Sequence, residues 1–159
     1  MQRITGHYRF SFDDHILIAV PPERGFAFFQ DMEANYCRWH PDHLGFEWRE
    51  GNTLAVGTVF RFSERIDGRK LDKEVRITQV VPDRYFAFRP TGILLRSFVE
   101  QMSFGFRPDP GGFVFEAQIR MRGIGPIGRR LNRRDFAAVE RHMSEEGLNL
   151  KALLEADGA

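Results

Sequence analysis

The segment RRDFAAVERHMSEEGLNLKALLE, residues 133–155, carries the strongest indication of the fold. Its apolar residues recur at steps of three and four positions, which predicts a long amphipathic helix packed on a core. These residues are Phe136, Val139, Met143, Leu150, Leu153 and Leu154. At about 100° per residue, Glu146 falls near the middle of this stripe and His142 at its edge, whereas Glu145 points to the solvated side. Because a buried carboxylate must be paired, protonated or metal-bound, the His-x-x-x-Glu spacing predicts half of a metal site.

Length and composition predict one domain, residues 1–159, with a core large enough for a ligand cavity. The net charge of +1 gives no general attraction to nucleic acid or to an anionic membrane. The single Cys37 excludes an internal disulfide and fits a reducing compartment. The N-terminal MQRITGHYRF lacks the pattern of a secretory signal, and no apolar run is long enough to span a bilayer. We therefore predict a cytoplasmic protein.

Upstream of the helix, alternating apolar residues and turn residues predict seven strands and two short helices. The strands are expected at residues 8–20, 44–50, 58–65, 71–80, 84–89, 94–107 and 112–122, and the short helices at 23–30 and 32–38. This order predicts an α+β fold in which one curved, seven-stranded antiparallel sheet wraps around the C-terminal helix. The GIGPIG sequence at 123–128 is expected to be a flexible turn, because too little chain follows it to complete a dinucleotide-binding unit.

The hairpin of the second and third strands adds a carboxylate to the predicted site. If residues 50 and 58 flank its turn, Leu44, Phe46 and Trp48 lie opposite Glu64, Phe62 and Phe60 on one apolar face. In the fourth strand Val75 and Ile77 point inward, which sends Glu74 outward. In this register His43 lies beside Glu64. Together with the helix pair, these residues predict a four-ligand set: His43, Glu64, His142 and Glu146.

Two imidazoles and two carboxylates suit zinc, or less selectively manganese or iron(II). Structural zinc in small domains prefers cysteine, so we expect a catalytic site in which the metal lowers the pKa of a bound water. Each residue alone has an ordinary alternative. His142 would be a partly exposed helix histidine, Glu146 would pair with Lys151, and Glu64 would pair with an arginine. His40 and His43 would cap a helix or bond to the backbone, so only the convergence of all four residues favours a metal.

The element order, the Pro21-Pro22-Glu23 opening of the first helix and the VVPDR sequence at 80–84 resemble the START-like, helix-grip superfamily of polyketide cyclases and lipid-binding proteins. The resemblance covers nearly the whole chain. It implies the fold, but this fold hosts both enzymes and passive binding proteins.

Three segments are similar to the 2,4-diacetylphloroglucinol hydrolase family: YCRWHPDH at 36–43, ERIDG at 64–68 and HMSEE at 142–146. The resemblance implies a catalytic zinc held by His43, Glu64, His142 and Glu146, with His40 as the alternative to His43. It implies hydrolytic carbon-carbon cleavage of an acylated phenol or a β-dicarbonyl compound. Tyr36, or whichever of His40 and His43 is not a ligand, would donate the proton that the leaving carbon needs.

The chain contains sixteen Phe residues, so an aromatic interior would hold the ring of such a substrate. The candidate walls are Phe46, Trp48, Phe60, Phe62 and Phe104, each with ordinary core packing as the alternative. A second hypothesis is a metal-free helix-grip protein that binds an apolar small molecule or lipid, or that aids cyclisation or dehydration. A third is a homodimeric interaction module. The arginines at 129–134 lack interleaved aromatics, so we expect a solvated turn and no nucleic-acid partner.

Overall fold

The computed structural model describes residues 8–158. The inference about a secretory signal rests largely on residues 1–7, which lie outside this range. The strands are β1 (Arg9–Ile18), β2 (His43–Glu50), β3 (Val59–Ile66), β4 (Arg69–Val81), β5 (Tyr85–Pro90), β6 (Val99–Asp109) and β7 (Gly112–Arg122). The helices are α1 (Pro22–Gln30), α2 (Met32–Trp39), α3 (Ile93–Phe98), α4 (Pro126–Leu131) and α5 (Arg133–Asp157).

The strands form one antiparallel sheet in the order β1-β7-β6-β5-β4-β3-β2. Residues on the inner face of this curved sheet and on one stripe of α5 form the core. That stripe contains Ala138, His142, Met143, Glu146, Gly147, Leu150 and Leu154, all buried. The predicted α+β helix-grip fold is therefore confirmed, with seven strands, a long C-terminal helix and two short helices after the first strand. None of the helices within residues 8–158 is long and apolar enough to cross a membrane.

Two segments differ from the sequence prediction. The strand expected at 94–107 begins as helix α3, and β6 starts only at Val99. Leu94 and Phe98 are 79% and 40% exposed, whereas Leu95 packs against the core, so most of the apolar residues that suggested a strand here do not reach the core. The turn expected at 123–128 contains the start of α4, where Pro126 occupies the first turn and supplies the fixed φ that a helix start favours.

The β2–β3 pairing contains a bulge that was not predicted. Phe46 and Trp48 lie opposite Phe62 and Phe60 as expected, but the register shifts between His43 and Gly45. His43 pairs with Glu64, whereas Leu44 lies in the bulge and is exposed. The prediction that Leu44 shares the inner face was wrong. The extra residue turns the His43 side chain inward in its place.

Candidate functional site

Four ionisable side chains meet beneath the sheet. One nitrogen or oxygen atom from each of His43, Glu64, His142 and Glu146 lies within 4.8 Å of the others, and all four residues are buried. His43 comes from the start of β2, Glu64 from β3, and the other two from successive turns of α5. Glu74, the carboxylate predicted to point outward, has a side chain that is 41% exposed. The structure thus brings the predicted four-residue set together.

His43 is fixed by contacts at both ring nitrogens. Nδ1 donates a hydrogen bond to the backbone carbonyl of Tyr36 at 2.9 Å, because a carbonyl oxygen can only accept. Nε2 lies 2.8 Å from Glu146 Oε1. A backbone carbonyl at one nitrogen is the arrangement that orients a histidine to offer its other nitrogen to a metal or a carboxylate.

One ring nitrogen of His142 is buried without a hydrogen bond to any described residue. Its Nε2 atom lies 3.3 Å from Glu64 Oε2 and 3.3 Å from Glu146 Oε1. Neither contact has the geometry of a hydrogen bond, so Nε2 has no hydrogen-bond partner among the described residues. Burial opposes a charge on this ring, but the carboxylates of Glu146 and Glu64 outweigh burial and raise the pKa of His142 to about 10.

Lys73, which the sequence analysis did not identify, completes the charge balance. Its Nζ lies 2.5 Å from Glu64 Oε1, and both side chains are largely buried. Burial alone would raise the pKa of Glu64, but the charge of Lys73 and then the contact with His142 lower it to about 2. The same balance holds at Glu146. Its contacts with His142 and His43 outweigh the effect of burial and lower the pKa of its carboxyl. Strand alternation could have identified Lys73 from the sequence, because Lys73 is two residues from the buried Val75 on β4 and so faces the same side of the sheet.

His40 is buried beside the four residues but has other partners. Its Nδ1 accepts the backbone N–H of Asp42 at 2.9 Å, so Nε2 carries the proton and donates to Glu145 at 2.8 Å. The Glu145 side chain is 47% exposed, on the outer side as predicted, yet it reaches His40. His40 also lies within ligand distance of His43 and His142. His43 fits the carboxylate set better, because its Nε2 faces Glu146, whereas the Nε2 of His40 faces Glu145 outside that set.

Tyr36 lies directly against the cluster. Its ring stacks on His43 at a centroid distance of 4.1 Å, with the planes 5° apart. The hydroxyl is buried and has no hydrogen-bond partner among the described residues. Burial, followed by the charges of Glu64 and Glu146, raises the pKa of this phenol. Tyr36 therefore keeps its proton at neutral pH and can act as a donor.

Two apolar cavities meet at the carboxylates. The smaller, about 60 Å³, is bordered by all five predicted wall residues: Phe46, Trp48, Phe60, Phe62 and Phe104. The larger, about 250 Å³, extends toward α3 and the first turns of α5, where Leu95, Phe136 and Val139 border it. Both are bordered by Phe62, Glu64, Phe88, Phe104 and Glu146. The ionisable groups thus lie at the junction of the two cavities.

The donor set fits a divalent transition metal. Two imidazole nitrogens and two carboxylate oxygens suit zinc, manganese or iron(II). The unpartnered Nε2 of His142 faces two carboxylates, and a cation placed among them would satisfy it. Lys73 already neutralises part of this negative charge, so the cluster also has an internal counter-ion.

Comparison with known proteins defines the class. Residues 9–155 match the family described as "Polyketide cyclase / dehydrase and lipid transport", and the chain belongs to this family. No curated protein matches it in sequence.

Solved structures share the fold at low sequence identity. The Zhui aromatase/cyclase from Streptomyces sp. R1128 is 14% identical, with a TM-score of 0.76 over 96% of this chain and 97% of that one. Ara h 8.0201 is 17% identical, with a TM-score of 0.70 over 94% and 99%. TTHA0849 from Thermus thermophilus is 15% identical, with a TM-score of 0.71 over 96% and 100%. These structures share the fold, and the family match confirms the predicted superfamily. The link to diacetylphloroglucinol hydrolases, the cytoplasmic location and a homodimer stay predictions.

Proposed function

We propose that this protein binds an aromatic or otherwise apolar small molecule in the paired cavities and transforms it by acid-base chemistry at their junction. The observation that carries the proposal is that ionisable side chains from β2, β3 and α5 converge where two apolar cavities meet. An enclosed apolar site with a few convergent polar groups is the usual form of a small-molecule site. Membership in a cyclase/dehydrase family and the fold shared with an aromatase/cyclase support this chemistry.

The residues have distinct capacities for such a reaction. In a cyclisation or dehydration, a base removes a proton from carbon, and an acid protonates either the carbonyl oxygen that becomes a hydroxyl or the hydroxyl that leaves as water. The Glu146 carboxylate, hydrogen-bonded to His43, is the available base. Tyr36 borders the smaller cavity and holds its proton, which makes it the available acid. The aromatic walls would hold a ring against these groups and exclude water.

The unpartnered His142 Nε2 favours a second candidate, a metal-dependent hydrolase of acylated phenols or β-dicarbonyl compounds. His43, Glu64, His142 and Glu146 would hold zinc, manganese or iron(II). The bound ion would supply Lewis-acid polarisation of a carbonyl and an acidified water. The chain's own part would be to orient the ring, exclude bulk water and donate a proton from Tyr36 to the leaving carbon.

Ligand binding tests the first proposal, because both tryptophans of the chain, Trp39 and Trp48, border the smaller cavity. The neutral nitroaromatic 4-nitroanisole should quench their fluorescence saturably. Val139→Phe, which places a ring in the larger cavity, should weaken binding, whereas Ala137→Phe on the exposed face of α5 should not. Purely linear quenching, or equal effects of the two variants, would contradict cavity binding.

Metal content separates the two chemistries. Protein purified without an affinity tag should be analysed for zinc, manganese and iron together. A stoichiometric metal that is lost in Glu146→Gln but kept in Glu145→Gln supports the hydrolase, because only Glu146 faces the four-residue centre. Substoichiometric metal in the wild type, or undiminished metal in Glu146→Gln, leaves the metal-free acid-base chemistry as the better account.

A further inference from the structure

Lys73 is a half-buried cation at one end of the candidate site. Its side chain is 18% exposed and lies on β4, opposite Phe62 on β3. Among the lysines and arginines of residues 8–158, it is the one that borders either cavity. It borders the larger cavity and not the smaller, so the positive charge belongs to one of the two compartments.

The ammonium group has more donors than partners. A lysine ammonium carries three N–H donors, and Glu64 Oε1 accepts one of them. No other hydrogen bond from Nζ is found in the described part of the chain, and Nζ lies 5.6 Å from the centroid of the Phe62 ring. Two donors are therefore free beside an apolar cavity. A buried donor without an acceptor is costly, so a ligand that supplies an acceptor there gains affinity.

The charge of Lys73 gives the class of acceptor. An anionic oxygen forms a stronger hydrogen bond with an ammonium than a neutral oxygen does, and it also balances the charge.

We propose that Lys73 forms a subsite for an anionic oxygen, a phenolate, enolate or carboxylate, on a ligand whose apolar part fills the larger cavity. This rests on the proposed binding of an apolar small molecule and adds a requirement to it. The ligand must carry its negative oxygen at the Lys73 side of the carboxylate junction. Lys73 then determines the specificity of the larger cavity for an anionic ligand.

Three nitroaromatic probes of similar size test the subsite: 4-nitroanisole, which is neutral, and 4-nitrophenol and 4-nitrobenzoate, which are anionic at pH 8. Their dissociation constants are measured by quenching of Trp39 and Trp48, with the metal content of each sample recorded. In the wild type, at least one anion should bind about tenfold more tightly than 4-nitroanisole, the difference expected of a charge-assisted hydrogen bond. Which anion is preferred distinguishes a phenolate or enolate ligand from a carboxylate one.

Substitutions then test whether Lys73 causes the preference for an anionic probe. Lys73→Met should abolish it while leaving 4-nitroanisole affinity within about twofold, because the apolar walls are unchanged. Lys70→Met is the matched control, since Lys70 lies on the same strand and is 61% exposed. Lys73→Arg keeps the charge and should keep the preference. If Lys73→Met fails to fold, Lys73→Gln replaces it.

Failure of this proposal can be told apart from failure of the proposed function. Saturable binding of 4-nitroanisole without a preference for either anion, or a preference that survives in Lys73→Met, overturns the subsite alone. Absence of saturable binding by all three probes overturns both.

Discussion

At the scale of single residues, the site is a balance of buried charges. Two carboxylates, Glu64 and Glu146, face Lys73 and His142 at distances of 2.5–3.3 Å. Buried charges are tolerated when they are paired, and removing one partner strands the other. The pairing explains why the pKa of each carboxyl is lowered despite burial, and why the pKa of His142 is raised.

The first prediction concerns the stability of the metal-free protein as a function of pH. Because the pKa of His142 rises from 6.5 to about 10, its ion pairs stabilise the fold fully below pH 6.5 and are lost as the pH rises through 10. The pKa of Glu64 falls from 4.5 to about 2, so its contribution is present above pH 4.5 and is lost as the pH falls through 2. Between them, these two groups favour the fold most at pH 4.5–6.5.

Urea unfolding with a chelator at pH 6, 8 and 9.5 measures the loss of stability that is expected as His142 loses its proton. The free energy of unfolding should fall with pH, by at most about 1.4 kcal/mol per unit for one group. His142→Gln should remove most of this slope. His15→Gln, a change at an exposed position of β1, should preserve it. A wild-type slope equal to that of His142→Gln would show that His142 carries no charge in the folded protein.

At the scale of elements, two local features position the site. The bulge at the start of β2 turns His43 inward, and the four-residue spacing on α5 stacks His142 above Glu146. The helix is in turn held by Trp39 of α2, whose indole N–H donates to the backbone carbonyl of Glu146 at 2.8 Å. Helix α1 lies tightly on the sheet, where a Cβ at Gly25 would come within 2.5 Å of Phe113 and 2.9 Å of Phe106.

The close approach of α1 gives the second prediction. Gly25→Ala should destabilise the protein, because both phenylalanine rings are fully buried and cannot move aside. Overpacking costs about 1–3 kcal/mol, and the better helix propensity of alanine returns about 1 kcal/mol, so a net loss of up to about 2 kcal/mol is expected. Gly45→Ala is the control, since a Cβ there meets no atom within 4 Å. Equal urea midpoints for the two variants would mean that α1 shifts to accommodate the methyl group.

At the scale of the whole molecule, the curved sheet and α5 enclose the cavities and bring distant segments into one centre. His43 and Glu146, whose side chains lie 2.8 Å apart, are separated by 103 residues in sequence. A binding site formed by β2, β3 and α5 together exists only in the folded state, so a ligand bound there must stabilise the entire fold.

The third prediction follows for zinc. If the four residues hold the metal, zinc at a hundred times its dissociation constant adds about 2.7 kcal/mol of stability. For a chain of this length, that is about 5–11 °C in the melting temperature. Thermal unfolding with zinc and with a chelator measures the shift. Glu146→Gln should lose most of it and Glu145→Gln should keep it, whereas equal shifts in both variants would place the zinc elsewhere.

Sequence periodicity was enough to establish the order of the seven strands and of α1, α2 and α5, and the inward parity of Glu64 and Glu146. Period-two alternation separated Glu64 from Glu74, and helical periodicity separated Glu146 from Glu145, because these patterns depend on local backbone geometry. The same alternation places Lys73 on the inner face, but lysine is not a metal ligand and was not among the predicted site residues. Apolar composition misassigned residues 94–98 as strand, because exposed and buried apolar residues look alike in a sequence.

The partner of each polar group, in contrast, depends on the folded arrangement. The bulge that replaces Leu44 with His43 on the inner face depends on how β2 pairs with β3, and the choice between His40 and His43 depends on which backbone groups lie next to each ring. Cavity shape is likewise set by packing between segments far apart in sequence. Hydrogen bonds and ion pairs act over a few ångströms in space, and sequence spacing fixes such distances only within one element.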